Sequence, residues 1–473
     1  MSRRPLYLGG EWRTTSTALT VVNAADGRPF AEVSTVGRAE VAAAFTAAQG
    51  ALPAWRARTA LDRAGFLRKI AAGLEQRRDE IARVITLENG KPLAQSRGEV
   101  AMSIDHLLWF AEEARRTYGR VVPPQVAGKR HLVVSTPIGV VGAISPWNFP
   151  LVLAVRKIAP ALAAGCPVVL KPASATPLSS LAFAECVAEA GLPAGVFQVV
   201  AGRASEIAAE FLENPLCRKI TFTGSTEVGR LLIQGAAAQV KPLSLELGGH
   251  APFLVFADAD LDRAVEGAVV AKFRNSGQSC IAASRIYVER SCYAEFLERF
   301  VKRVRELRVG DGLSEGVEVG PVIDKAALDK ALDHVQDAVR RGARLCCGGR
   351  RWGEAGWFLE PTVLADVPDA ARCMEEETFA PVAPVCAFDT EEEVVTKANA
   401  STYGLSAYAY TRDLARTFRL MESLETGTLG INDPVPTTSQ CPFGGVKQSG
   451  WGRELGSEGI SAFLENKHVS LGL

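Results

Sequence analysis

VVLKPAS (168–174), LSSLAFAECVAEAG (178–191), VFQVVAG (196–202) and KITFTGS (219–225) follow one another along the chain, and their alternation decides the fold class. The short β-branched runs closed by Gly, Pro or Ser read as strands, and the Leu/Ala-rich segment ending at Gly191 reads as a helix. Strands alternating with helices predict an α/β domain with a mostly parallel sheet. Upstream, Glu40 to Tyr118 is helical, with Val41, Ala44, Phe45 and Ala48 at one spacing and Phe66, Ile70, Leu74 and Ile81 at another. VVPPQVAGKRHLVVSTPIGVVGAISPWNFP (121–150) then places two β-branched runs around a loop. Downstream of Gly249 a second series begins: APFLVF, a helix from about Leu261 to Phe273, a Gly/Ser turn, SRIYVE and the amphipathic CYAEFLERFVKRVREL. It predicts a second α/β domain. The tail ISAFLENKHVSL (460–471) alternates like a strand and has too little mass to fold alone, so it is expected to pair elsewhere, with another subunit as one partner.

A chain of 473 residues holds two or three domains. Its 53 basic and 53 acidic residues cancel, which removes the electrostatic footprint of a general nucleic-acid or membrane-surface binder. With 47% apolar and 22% charged residues the composition is that of an ordered globular protein. The ten cysteines form no CxxC pair and the five histidines no HExxH, so reduced thiols are expected and no metal. MSRRPLYLGGEW lacks an apolar leader core, and the apolar stretch from Ile138 to Leu170 is interrupted by Pro146, Asn148, Pro150, Arg156, Lys157, Pro160 and Pro167. A soluble, cytoplasmic protein is expected.

Three residues make a chemically complete set for oxidising an aldehyde: Cys280 in FRNSGQSC, Glu246 in LELGG and Asn148 in PWNFP. A thiolate attacks the carbonyl, an amide N–H stabilises the oxyanion, and a carboxylate takes protons. Taken singly, each has a plainer reading as a buried thiol, a loop acid and a turn residue. No G-x-G-x-x-G is present. Instead, KITFT runs into Gly224 and Ser225, followed by a helix with Val228, Leu231 and Leu232 on one face, and a helix N-terminus after a glycine can seat a pyrophosphate.

Seven segments in order, ISPWNFP, LKPAS, FTGSTEVG, LELGG, GQSC, EETFAPV and PFGGVKQSG, resemble the NAD(P)-dependent aldehyde dehydrogenase superfamily along almost the whole chain. The resemblance implies an aldehyde dehydrogenase-like fold: a Rossmann-type cofactor domain (1–118 and 138–247), a catalytic domain (248–454) and a small β oligomerisation element (119–137 and 455–473). It makes Cys280 the nucleophile, Glu246 the general base, and Asn148 with the Cys280 backbone N–H the oxyanion hole. Pro146, Trp147, Gly224 and Ser225 would border the cofactor, with Glu377 on the nicotinamide ribose and Phe379 beside it. Lys171 would face the adenosine ribose. Related NAD-preferring enzymes carry a glutamate where Ser174 stands, so the resemblance implies NADP or NAD, with NADP tolerated and the balance tilted toward it. A small-molecule aldehyde substrate and a homodimer or homotetramer are also implied.

KFRNSGQSC and VRKIAPALAAGC are similar to the succinate-semialdehyde dehydrogenase branch, in which the arginines matching Arg156 and Arg274 grip a terminal carboxylate. Guanidinium forks suit carboxylate or sulfonate. That branch adds a serine before PFGG. Here TTSQCPFGG offers Thr437 and Thr438 with Ser439, which leaves succinate, glutarate and sulfonated semialdehydes open. Ala282 stands where some members carry a second, regulatory cysteine. A CoA-acylating enzyme is disfavoured by Glu246, and a non-catalytic protein by the complete Cys280, Glu246 and Asn148 set.

Overall fold

The structure, a computed structural model, describes residues 3–473. Four helices, Arg38–Arg56, Ala60–Gln76, Arg78–Asn89 and Leu93–Glu113, occupy the segment read as helical. The first turns its Val41, Ala44, Phe45, Ala48, Leu52 and Trp55 face inward, and its entry is fixed by Glu40, whose carboxylate accepts from the Gly37 N–H at 3.0 Å. Thr59 and Asp62 form the equivalent reciprocal cap on the second helix.

A six-stranded sheet follows in the order Phe197–Val199, Val168–Lys171, Val140–Ile144, Cys217–Thr223, Leu243–Glu246, Gly450–Trp451. Its first five strands are mutually parallel, and only Gly450–Trp451 runs antiparallel. In chain order the parallel strands read 3-2-1-4-5, the arrangement of a dinucleotide-binding sheet. Central strands such as Val140–Ile144 are buried throughout, because helices cover both faces of a parallel sheet.

The second series builds a seven-stranded sheet, Arg344–Cys347, Thr362–Ala365, Val382–Phe388, Ala283–Glu289, Ala251–Val255, Ser406–Tyr410, Thr428–Ile431, parallel except for the first strand. Helix Leu261–Phe273 carries an Asp260 cap that accepts from the Arg263 N–H at 3.2 Å.

The tail strand Leu464–Gly472 pairs antiparallel over nine residues with Lys129–Pro137 of its own chain, and Arg120–Val122 completes a three-stranded sheet. Helix Thr226–Ala236 departs from the expected single apolar face. Leu232 is buried, while Val228 and Leu231 are exposed, because the helix rests on the sheet only along the Gly229, Leu232 and Ala236 side. Among the described residues no helix is long and apolar enough to cross a membrane.

Candidate active site

In a sheet of order 3-2-1-4-5 the chain leaves in opposite directions from strands Val140–Ile144 and Cys217–Thr223, which opens a crevice beyond their carboxyl ends. The residues that follow those ends are Pro146, Trp147 and Asn148 on one side and Gly224 and Ser225 on the other. All five line one cleft together with Thr223, Leu247, Gly248, Cys280, Glu377 and Phe379. Topology thus brings together segments up to 233 positions apart in sequence, from Pro146 to Phe379.

The loop presenting Cys280 is held in an uncommon conformation. Asn275, Ser276 and Gly277 are successive left-handed residues (φ 50°, 56° and 75°), which costs about 1–3 kcal/mol per non-glycine residue unless the surroundings enforce it. They do. The Asn275 amide donates to the Asn148 carbonyl (2.8 Å) and the Gln278 carbonyl (3.1 Å), Ser276 Oγ donates to the Gly320 carbonyl (2.8 Å), and Gln278 Oε1 accepts from the Ile323 N–H (2.8 Å). Two glycines admit the loop: a Cβ on Gly277 would meet the Ala380 carbonyl oxygen at 2.2 Å, and one on Gly249 would meet that of Cys280 at 2.1 Å. Cys280 keeps partial exposure toward the cleft. Burial of its surroundings nevertheless pushes the thiol up to about 12, with Glu377, Glu246 and Glu454 adding to the rise and Arg156 opposing it.

Asn148 is fixed from both ends. Its carbonyl accepts from Lys91 Nζ (2.6 Å) as well as from Asn275, and its side-chain amide donates to the Gln278 carbonyl (3.2 Å), against the loop that carries Cys280. Lys91 is itself fully buried in an ion pair with Glu99 (2.6 Å), whose other oxygen accepts from the Leu151 and Val152 N–H groups at the start of helix Val152–Ala164.

Glu246 ends the fifth parallel strand, buried, with Oε2 lacking a hydrogen-bond partner among the described residues. Burial, then the neighbouring Glu454 carboxylate, hold it well above the usual carboxylate range, while Lys157, Arg156 and Arg453 pull the other way. Lys157 Nζ donates to Thr223 Oγ1 (2.5 Å) and pairs with Glu454. A Cβ on Gly444 would stand 2.7 Å from Glu246 Oε1, so the PFGG segment closes directly over the carboxylate. Lys157 and Glu454 escaped the sequence reading. Lys157 sits in a helix whose every residue is buried, and Glu454 lies 297 positions away, so only its surroundings mark it.

Arg156 and Arg274 flank the same region. Arg156 is 5% exposed, lies 4.8 Å from the Phe443 ring centroid and donates through Nε to His106 Nε2 (3.2 Å). Arg274 stands over the Phe149 ring at 5.2 Å. Among the described residues, neither has a carboxylate within salt-bridge distance. Burial lowers both; Glu454, Cys280, Glu246 and Glu99 partly offset it at Arg156, whereas at Arg274 Glu99 favours the charge and Arg156 disfavours it. Of the hydroxyls before PFGG, Thr437 Oγ1 is buried without a partner, Thr438 bonds Gln440 (2.6 Å), and Ser439 bonds His106 and Asp105.

For the cofactor, Ser225 lines the cleft and caps helix Thr226–Ala236 by accepting from the Val228 N–H (3.3 Å), so the helix N-terminus opens at the cleft. Glu377 Oε1 accepts from the Gly249 N–H (3.1 Å), and burial pushes its carboxyl up to about 7. Phe379, at φ 56°, meets Trp147 edge-on with ring centroids 5.5 Å apart. Lys171 is buried, its pKa lowered by that burial, with no ion-pair partner among the described residues; Ser174 is exposed. A buried ammonium with no anion beside it, a bare hydroxyl three residues on, and a helix N-terminus at the sheet's switch point fit a dinucleotide carrying an extra phosphate.

The aldehyde dehydrogenase family model matches residues 12–469. A succinate-semialdehyde dehydrogenase [NADP(+)] of Escherichia coli (strain K12) is 49% identical over 100% of this chain and 98% of its own length. A glutarate-semialdehyde dehydrogenase of Pseudomonas aeruginosa is 48% identical over 99% of this chain and 98% of its own. The crystal structure of an E. coli NADP-dependent enzyme superposes with a TM-score of 0.98 at 48% identity, covering 100% of this chain and 98% of that one.

Proposed function

This chain belongs to the aldehyde dehydrogenase family, and from that premise we propose that it oxidises an ω-carboxy semialdehyde, succinate semialdehyde first, to the diacid with NADP or NAD. The observation that carries the substrate class is the pair Arg156 and Arg274, two guanidinium groups beside the reactive loop that form no salt bridge with any carboxylate among the described residues. Unpaired buried cations are costly, and a substrate carboxylate or sulfonate supplies the missing anion. Thr437, with its unpartnered hydroxyl, adds a donor for the same tail, and Thr438 flanks it.

In the reaction, Cys280 gives its proton to Glu246, which passes it through water to solvent, and the thiolate adds to the aldehyde carbon. The Asn148 amide and the Cys280 N–H receive the oxyanion. A bound dinucleotide would supply the hydride acceptor; as the hydride leaves the thiohemiacetal carbon, the oxyanion held by Asn148 and the Cys280 N–H collapses to a thioester on Cys280. Glu246 then takes a proton from water, the resulting hydroxide attacks the thioester carbon, and the C–S bond breaks to release the acid and the thiolate. Lys157 favours ionised Glu246 and Glu454 disfavours it, so the pair sets how readily the base accepts that proton. Pro146, Trp147, Gly224, Ser225, Glu377 and Phe379 would hold the nicotinamide half, and Lys171 with Ser174 the adenosine half. We assign residues 1–118 and 138–247 to cofactor binding, 248–454 to catalysis, and 119–137 with 455–473 to assembly of a homodimer or homotetramer.

Initial rates over a panel of neutral and ω-carboxy aldehydes, each with NAD and NADP, test this reading. The acidic substrates should have the highest kcat/KM, and a neutral aldehyde outrunning all of them overturns it. Ser174→Glu places a carboxylate where the 2′-phosphate would lie, and should move the NADP/NAD ratio of kcat/KM toward NAD by about tenfold or more.

A further inference from the structure

Arg156 is oriented by an unusual partner. Its Nε can only donate, so His106 Nε2 at 3.2 Å is an acceptor and the imidazole proton resides on Nδ1. That proton points to Ser439 Oγ at 2.7 Å, and Ser439 in turn donates its own proton to Asp105 Oδ2. The result is a one-way hydrogen-bond chain, Arg156 to His106 to Ser439 to Asp105. Arg156, His106 and Ser439 are 5%, 1% and 2% exposed, whereas Asp105 lies at the surface. The direction excludes a hydrolase triad: His106 Nδ1 already carries a proton and cannot take one from Ser439.

The chemistry of this arrangement differs from an ordinary arginine–carboxylate pair. A carboxylate placed against Arg156 would fill its fork and cancel its charge. A neutral imidazole holds the guanidinium in place through Nε alone and leaves the charge uncancelled, with the carboxylate at the end of the chain, Asp105, three hydrogen bonds away. Of the terminal nitrogens, Nη2 faces only the Met102 sulfur at 3.9 Å, and the Phe443 ring covers one face of the group. The fork is therefore aimed and still available.

We propose that Asp105, Ser439 and His106 are positioning residues that determine specificity, holding Arg156 so that its two terminal nitrogens meet the anionic tail of the aldehyde. This rests on Arg156 binding that tail, as argued above. The relay connects helix Leu93–Glu113 to the segment before PFGG, which joins the substrate hydroxyls and the guanidinium into one unit.

Steady-state kinetics with succinate semialdehyde and with a neutral aldehyde of similar length decide it. His106→Phe should raise KM for the acidic substrate by about tenfold, the effect of losing a hydrogen bond to a charged group, while kcat and the neutral substrate's KM stay within about twofold. His106→Gln keeps an acceptor at the Nε2 position and should recover most of the loss. Ser439→Ala and Asp105→Asn should each raise the acidic substrate's KM by about threefold, and they decide the matter by the same ratio if His106→Phe does not fold. Equal losses on both substrates, or no change for the acidic one, overturn the relay. Arg156→Met separates the two readings. If it leaves the acidic-to-neutral ratio unchanged, the arginine clamp itself is wrong; if it collapses the ratio while the relay variants do not, the clamp stands and the relay falls.

Discussion

At the scale of single residues, the site works because buried charges are left incompletely answered. Among the described residues Glu246 has an oxygen without a partner and a second carboxylate nearby, offset first by buried Lys157 and then by Arg156 and Arg453. Lys157 favours the ionised base, so its removal raises the proton affinity of Glu246 further. The sign is then fixed: at any given pH less base is ionised, and the acid limb of the deacylation rate moves to higher pH. Lys157→Met should show this displacement when thioester hydrolysis is followed after a rapid burst of reduced dinucleotide, with the neutral-pH rate down by about 100-fold, within the range for impaired general-base catalysis. A limb that stays in place would detach Lys157 from the base.

At the scale of elements, the decisive device is the mutual approach of the LELGG turn and the left-handed loop 275–280. Gly249→Ala would put a methyl group 2.1 Å from the Cys280 carbonyl oxygen, backbone against side chain, with nothing flexible to yield. The loop must shift, and a displacement near 1 Å at a reacting atom costs about 100-fold in rate. We expect kcat to fall by at least that much while the far-ultraviolet circular dichroism stays native, and a variant with wild-type kcat would show that the approach is not needed. The same pair of elements shows where sequence reading stops. Strand–helix alternation from Val168 to Ser225 was legible because burial on both sheet faces demands continuous apolar runs, and the order of motifs brought out Cys280, Glu246 and Asn148. Three consecutive left-handed residues were not legible, since Asn275 and Ser276 adopt that conformation only under constraint from Asn148, Gly320 and Ile323, which lie elsewhere in the chain. Lys157, Glu454 and the His106 relay are hidden for the same reason: their meaning is a juxtaposition across 50 to 334 positions. Val228 and Leu231 carry the opposite lesson, a helical apolar spacing that does not face the core.

At the scale of the whole molecule, the two large sheets enclose the chemistry, and the small sheet stands apart from it with a different surface. Tyr118, Val121, Val122, Val134 and Leu471, all on or beside its strands, are exposed. Leu464–Gly472 pairs along one side only, which leaves the other side of a nine-residue strand with unanswered backbone groups. Soluble proteins cover or blunt such an edge, and apolar residues beside it favour coverage by another copy of the chain over exposure to water. Deleting residues 464–473 removes the edge strand together with the Leu473 N–H bond to the Gly128 carbonyl (2.8 Å), yet leaves both large sheets with every strand. The full chain should sediment as a multiple of its 50.5 kDa mass, and the shortened one as a smaller species whose dinucleotide-binding sheet still folds. A full-length protein that stays at 50.5 kDa at micromolar concentration would rule out assembly, and a shortened one that assembles unchanged would place the assembly surface elsewhere.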